Sequence, residues 1–271
     1  MGRLLSPSAI NLYKQCPRRF YYRYIERLET ADSIHLIRGS IVHSVLEHVY
    51  DIDVADVDFE GAMPHVGRWM LRELKKEWQE ASERLDALDL GTDRMTFYFD
   101  ETRTMLRHWL MDFLRKLEKT GMEFPEAFQA SIPLREKKVS SEQHNVMGFI
   151  DVIEMVDDKV RRVIDYKTSR KDTFTPEYEL QLAIYALLIN ETYGHPPEEV
   201  AIHFLKFGER SKKVHPEMLE LAKRECAFIT EQTQSREIKD YPKKQSPLCK
   251  WENARGAGQC DFYDVCNSTL I

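Results

Sequence analysis

The 271-residue chain has no apolar run approaching the ~20 residues that a membrane helix needs, and its opening stretch MGRLLSPSAINLYKQCPRRF carries no apolar core of the secretory kind. A cytoplasmic location with no membrane partner is expected. It also lacks an excess of basic residues. The net charge of -6 excludes a binder that recognises nucleic acid through overall charge, so any such contact must be local. No G-x-x-x-x-G-K loop occurs, so the chain has no nucleotide-driven motor of its own. Internal repeats and low-complexity tracts are missing as well. The five cysteines, without an export signal, argue against a disulfide framework and for metal or catalytic use, and their odd number agrees. What is present is a globular composition, 42% hydrophobic and 31% charged, long enough to bury a sizeable core.

The chain divides into four stretches. Residues 1–50 read as helical: Ser6 with Pro7 forms an N-cap followed by an N1 proline, Pro17 interrupts, and GSIVHSVLEHVYD resumes at helical spacing. Residues 51–122 form a helical segment. Met63, Val66, Met70, Leu74 and Trp78 recur at three- and four-residue steps, as do Leu106, Trp109, Leu110, Phe113, Leu114 and Leu117, and both stripes read as core-facing. Residues 123–240 alternate strands and helices: strands at FQASIPLRE, HNVMGFIDVIEMV, KVRRVIDYKTS and EVAIHFLKFG, and helices at PEYELQLAIYALLINETYG and from His215 to about residue 238. Residues 241–271 form a C-terminal cysteine segment. Basic residues interleave with aromatics most densely in KQCPRRFYYRY, making Arg18 and Arg19 candidate phosphate contacts.

Within VIDYKTS an aspartate and a lysine share one strand face, because side chains repeat every two residues. If Val156 pairs with Val160 across a three-residue DDK loop, Asp151 falls directly opposite Asp165, with Lys167 on the same face. Adjacent half-buried carboxylates repel unless a cation lies between them. A divalent metal satisfies this pattern, and so does a Lys167–Asp151 ion pair. Gln181 and Tyr185 lie one helical turn apart on a common face. His43 sits on the helix of GSIVHSVLEH, with Glu47 one turn on as a candidate supporting carboxylate. Cys16 stands near one end of the chain and Cys249, Cys260 and Cys266 near the other, whereas Cys226 in LAKRECAFITEQ fits an apolar helix position and reads as packing.

Taken in order, GSIVHSVLE with His43, GFID with Asp151, DYK with Asp165 and Lys167, and QLAIY with Gln181 and Tyr185 resemble the RecB-like branch of the PD-(D/E)XK nucleases. The resemblance covers residues 1–50 and 123–271. It implies an α/β, restriction-endonuclease-like core, a central mixed sheet flanked by helices, with 51–122 as a helical insert. Asp151, Asp165 and Lys167 would then be catalytic. His43, Asp151, Asp165 and the carbonyl of Tyr166 would hold Mg²⁺ or Mn²⁺, an imidazole ligand suiting Mn²⁺. Gln181 and Tyr185 would support the site or the DNA.

One cysteine before the core and three after it resemble the iron-sulfur members, including AddB-type subunits and CRISPR-associated exonucleases. On that likeness Cys16, Cys249, Cys260 and Cys266 would hold a 4Fe-4S cluster joining the two ends of the chain, although four thiolates also suit structural zinc. Cys249 and Cys260 depart from the commoner C-x-x-C, with ten residues between them. The implied activity is a metal-dependent DNA exonuclease, preferring single strands, in end processing, recombination, phage functions or CRISPR spacer acquisition, with proteins of those pathways as partners. The alternatives are a non-catalytic DNA-end-binding subunit and a structure-specific endonuclease.

Overall fold

The computed structural model describes residues 4–253 and 256–268, without the side chains of 251–257. Its centre is a five-stranded sheet in the order β1-β2-β3-β4-β5, formed by Leu134–Ser141, Val146–Val156, Lys159–Lys167, Glu199–Phe204 and Gly208–Lys213. Only β3 and β4 run parallel; the other neighbours are antiparallel. A parallel pair needs a crossover. Helix α8, Pro176–Tyr193, supplies it. Thr175 caps its start by accepting from the Tyr178 N–H, Pro176 sits in its first turn, and Gly194 ends it in the left-handed region at φ 78°. Every residue from Leu182 to Ile189 is buried, as expected of a helix covered on all sides.

Two hydrophobic clusters lie on opposite faces of the sheet. On one face α8 packs with α1 (Pro7–Gln15), α2 (Pro17–Phe20) and α9 (Pro216–Gln232) against Val146, Ile153 and Val163. On the other face α3 (Ile34–His48), α4 (Phe59–Glu80), α6 (Thr92–Glu118) and α7 (Phe124–Ala130) cover Val152, Ile164 and Tyr166, with the short α5 (Ser82–Asp86) beside them. Residues 51–122 therefore form one layer over the sheet. Val66, Met70 and Leu74 of the first stripe and the whole of the second are buried in it, and Met63 and Trp78 pack partly buried against it. Cys226 is fully buried in α9, and its apolar surroundings push the thiol up to about 12, as suits a packing residue. Among the described residues no helix is long and apolar enough to cross a membrane.

Two local expectations are corrected. The strand expected at FQASIPLRE begins only at Leu134, because Phe124, Ala127 and Phe128 bury at helical spacing behind Pro125 in a first turn and make α7. The β2–β3 connection is a two-residue turn, Asp157–Asp158, with both φ positive at 49° and 59°, and not a three-residue loop. Val156 pairs with Lys159, and an irregularity between Glu154 and Met155 restores the pairs Ile153 with Val163 and Val152 with Ile164. The bulge compensates for the shorter turn, so the expected register is kept up to Val152 and Ile164, the pair next to Asp151 and Asp165.

Candidate active site and thiol pocket

The candidate site gathers at the C-terminal end of β3. There the β2–β3 ladder stops at Val152 and Ile164, and Asp151 Oδ2 accepts the Tyr166 N–H at 2.7 Å. Because β3 stays paired with β4 through Lys167, β2 is the strand that parts from it. The gap places His43 of α3 against the strand end. Its Nε2 lies 3.2 Å from the Tyr166 carbonyl, and its Nδ1 lies 3.3 Å from Asp151 and 3.6 Å from Glu136. Burial presses the His43 imidazole down, but those two carboxylates outweigh it and lift it to about 10.

Asp165 is 2% exposed. Gln181 donates to its Oδ1 at 2.8 Å and to the Tyr185 hydroxyl at 2.9 Å, so the α8 pair forms one chain leading to the carboxylate. Lys167 Nζ lies 2.6 Å from Asp165 Oδ2, and the Tyr178 ring stands 5.4 Å from that ammonium. That ammonium is the partner of Oδ2, in a close ion pair. Burial pushes Asp165 up to about 6, with Lys167 opposing and Asp151 adding to the rise. For Lys167, burial pulls downward and the Asp165 charge prevails, holding the ammonium above its usual range. Of the two sequence alternatives, the Lys167–Asp151 ion pair with a solvated Asp165 is not what forms: Lys167 pairs with Asp165, which is buried.

The site depends on close packing behind it. At Gly148 an added Cβ would come within 2.9 Å of Tyr185 Cε1, so the glycine makes room for the tyrosine that holds Gln181. The Tyr166 side chain points the other way, its hydroxyl accepting from Trp109 Nε1 of α6 at 3.3 Å. Nearby, Glu101 of α6 pairs with Arg38, which is 1% exposed, and with Lys206. The helical segment 51–122 thus braces both the site strand and the helix that carries His43.

Glu136 escaped sequence reading. In β1 its neighbours Arg135 and Lys137 pair with Val152 and Ile150, which leaves Glu136 opposite Asp151. That pair is missing from the ladder, and Glu136 has φ 43°. The one usable signal was the β1–β2 register, which the misplaced start of β1 concealed. The carboxylates next to His43 are Asp151 and Glu136; Glu47 instead lends its backbone carbonyl to Arg135. His43, Glu136 and Asp151 offer ligand atoms all within 4.8 Å of one another, the one such group among the described residues.

The second constellation lies where the chain ends meet. Cys16, Cys249, Cys260 and Cys266 line one pocket of about 300 Å³ with Arg18, Arg19, Lys243 and Lys244. Strands β6 (Lys250–Asn253) and β7 (Gly256–Gln259) form a hairpin, and the Cys260 N–H donates to the Cys249 carbonyl at 2.9 Å. The hairpin folds out the ten intervening residues and makes the unusual spacing short in space. Helix α10, Tyr263–Ser268, supplies Cys266. Burial raises the Cys260 and Cys266 thiols, and the Cys16 thiol adds to the rise in both, a mark of its proximity. Arg18 Nε donates to the Tyr241 carbonyl at 2.7 Å, and Arg19 pairs with Asp261 at 3.2 Å, so both arginines tie the C-terminal segment to α2.

A mixed sheet whose β3 ends in D-Y-K, with a His–Glu–Asp group capable of holding a metal beside it, defines an α/β nuclease fold. The chain belongs to the PD-(D/E)XK nuclease superfamily, whose family model matches residues 4–267. Enzymes of this superfamily hydrolyse phosphodiesters with Mg²⁺ or Mn²⁺. No curated protein matches the sequence. Among solved structures, the chain is similar to a "Putative exonuclease" from Eubacterium rectale at 12% identity and TM-score 0.52, over 99% of this chain and 88% of that one. At that identity the likeness is one of fold.

Proposed function

We propose that this protein is a Mg²⁺- or Mn²⁺-dependent DNA exonuclease that prefers single strands and carries a 4Fe-4S cluster. The observation that carries the catalytic reading is the buried Asp165 carboxylate, held between Lys167 and Gln181 and raised by burial with Asp151 adding to the rise. Burying a carboxylate beside a second one costs free energy, and an active site is a place where such a cost is retained. The donor set of carboxylates, an imidazole and the Tyr166 carbonyl suits a hard divalent ion. His43, Asp151, Asp165 and the Tyr166 carbonyl would hold it. When bound, the ion supplies Lewis acidity toward the phosphate and an acidified water.

The chain's own residues have defined tasks. The Tyr166 N–H fixes one oxygen of Asp151, leaving the other directed at His43. Gln181 and Tyr185 fix Asp165. Lys167, held charged by Asp165, orients the attacking water and stabilises the charge that develops on the phosphate oxygens. Hydrolysis joins the water oxygen to phosphorus and breaks one ester P–O bond, leaving a phosphate monoester and a free hydroxyl.

The cluster reading rests on the gathering of the four cysteines from both ends of the chain around one pocket, with Arg18, Arg19, Lys243 and Lys244 beside them to offset thiolate charge. Four thiolates suit a cluster of this kind, and a single tetrahedral zinc is the alternative that metal and sulfide analysis separates from it. DNA-end processing for recombination or for CRISPR spacer acquisition is the physiological setting that this combination suits, with DNA and proteins of those pathways as partners.

The test is incubation of anaerobically purified protein with end-labelled single- and double-stranded DNA and Mg²⁺ or Mn²⁺. Release of mononucleotides or short products from linear single strands, with a circular single strand untouched, is expected. Lys167→Ala should lower the rate by roughly 10² to 10⁴. Cleavage of the circle would make the protein an endonuclease. Tight binding to DNA ends without cleavage under either metal would make it an end-binding subunit.

A further inference from the structure

We propose that Glu136 is a direct ligand of the divalent cation, a further carboxylate beside His43 and Asp151. The inference rests on the metal-dependent reading above and extends its ligand set.

Position supports it first. Glu136 and Asp151 both approach His43 Nδ1, at 3.6 and 3.3 Å, and the ligand atoms of the three residues lie within 4.8 Å of one another. Asp165 does not complete such a group: one of its oxygens is held by Gln181 and the other faces Lys167. The more compact ligand set therefore comes from three different elements, α3, β1 and β2.

Charge supports it independently. A metal-ligating histidine must be neutral. Among the described residues, His43 is the one basic group paired with Glu136 or Asp151, whereas Asp165 has Lys167. With a neutral imidazole, Glu136 and Asp151 leave two negative charges uncompensated in a partly buried gap, which matches one divalent ion. A structural ion pair with His43 would balance only one of them.

The backbone is arranged to the same end. The paired residues on either side of Glu136 fix its place opposite Asp151, yet its own ladder pair is given up. A non-glycine residue at φ 43° within a strand is uncommon. The exchange turns a sheet position into one whose carboxylate reaches across β2 to the helix.

Mn²⁺ titration by calorimetry tests this on the full chain without DNA, purified anaerobically with its cysteine site as isolated. Wild type, Glu136→Gln, Glu136→Asp and Asp151→Asn are compared, with thermal melts to confirm folding. Glu136→Asn, which tolerates the left-handed backbone, replaces the glutamine variant if that one misfolds. Direct ligation predicts at least a tenfold weaker Mn²⁺ affinity in Glu136→Gln and a clear weakening in Glu136→Asp, whose charge is kept but drawn back by one methylene. Wild-type affinity in both Glu136 variants, with loss in Asp151→Asn, would overturn the role of Glu136 and leave the metal site intact. Loss in the glutamine variant alone would show a charge acting through space, which also overturns direct ligation. No Mn²⁺ binding to wild type at all would remove the metal-dependent reading itself.

Discussion

The Tyr166 backbone N–H donates to Asp151 Oδ2 at 2.7 Å, where the β2–β3 ladder ends. A buried backbone donor must find a partner, and at this point the partner is a side chain of the neighbouring strand. One carboxylate oxygen of Asp151 thus maintains the fold while the other faces His43.

That division separates two substitutions. Asp151→Asn keeps an oxygen able to accept from Tyr166 but removes the charge, so the melting temperature should stay near wild type while cleavage falls by roughly 10² or more. Asp151→Ala leaves the N–H unpaired and should cost a further ~1–3 kcal/mol of stability by urea titration. Equal stability in the two variants would show that the Tyr166 contact contributes nothing.

Gly148→Ala tests the support behind Asp165. The new methyl would meet the Tyr185 ring at 2.9 Å, between β2 and a helix with no free space, and Tyr185 in turn holds Gln181. Overpacking of this kind costs about 1–3 kcal/mol. The substitution should lower both the melting temperature and the cleavage rate, and the double variant Gly148→Ala with Tyr185→Leu should recover stability but not rate. A single variant with wild-type rate would disconnect the α8 pair from the chemistry.

His203 in β4 is 5% exposed, and burial, with Lys116 adding and Glu209 and Asp112 opposing, pulls it down to about 4 from 6.5. Well above its ordinary value of 6.5 it is uncharged in both folded and unfolded chains and has no pH effect. As pH falls through 6.5 the unfolded chain takes up the proton first, so stability declines until about pH 4, where the folded imidazole also charges. The total loss from this group is on the order of 3 kcal/mol. His203→Gln should flatten that part of the stability profile, measured as the difference between the two urea curves from pH 7 to pH 4. Parallel profiles would mean that His203 charges normally in the folded protein.

Cys16 lies 233 positions from Cys249, so a centre shared by both would close most of the chain into one loop. Loop-closure theory gives such a cross-link a few kcal/mol, roughly. Cys16→Ala should therefore weaken folding and cleavage together, although the residue is remote from Asp165 in the chain, while Cys226→Ala should retain the metal. Iron and acid-labile sulfide in the wild type and in Cys226→Ala, and their loss from Cys16→Ala, are the expected analyses. Zinc at full occupancy without sulfide would rule out the cluster.

Periodicity and register, both local properties, were enough to read much of this protein from its sequence. The apolar stripes at Met63–Trp78 and Leu106–Leu117 specify buried helices, and two-residue alternation places Asp165 and Lys167 on one face. The β2–β3 register could also be read, and a bulge restores it after a turn one residue shorter than expected, although the ladder ends one pair before Asp151 and Asp165. Tertiary structure alone decided what meets across elements. Nothing in REKK marks Glu136 as a neighbour of His43, because that meeting needs β1 beside β2, α3 across the gap and a left-handed residue in mid-strand. Likewise the ten residues between Cys249 and Cys260 measure a distance along the chain, and only the β6–β7 hairpin makes it short. Side-chain spacing records the period of the element that carries it; the contacts between elements depend on the packing of both faces of the sheet at once, and no single stretch of sequence contains that.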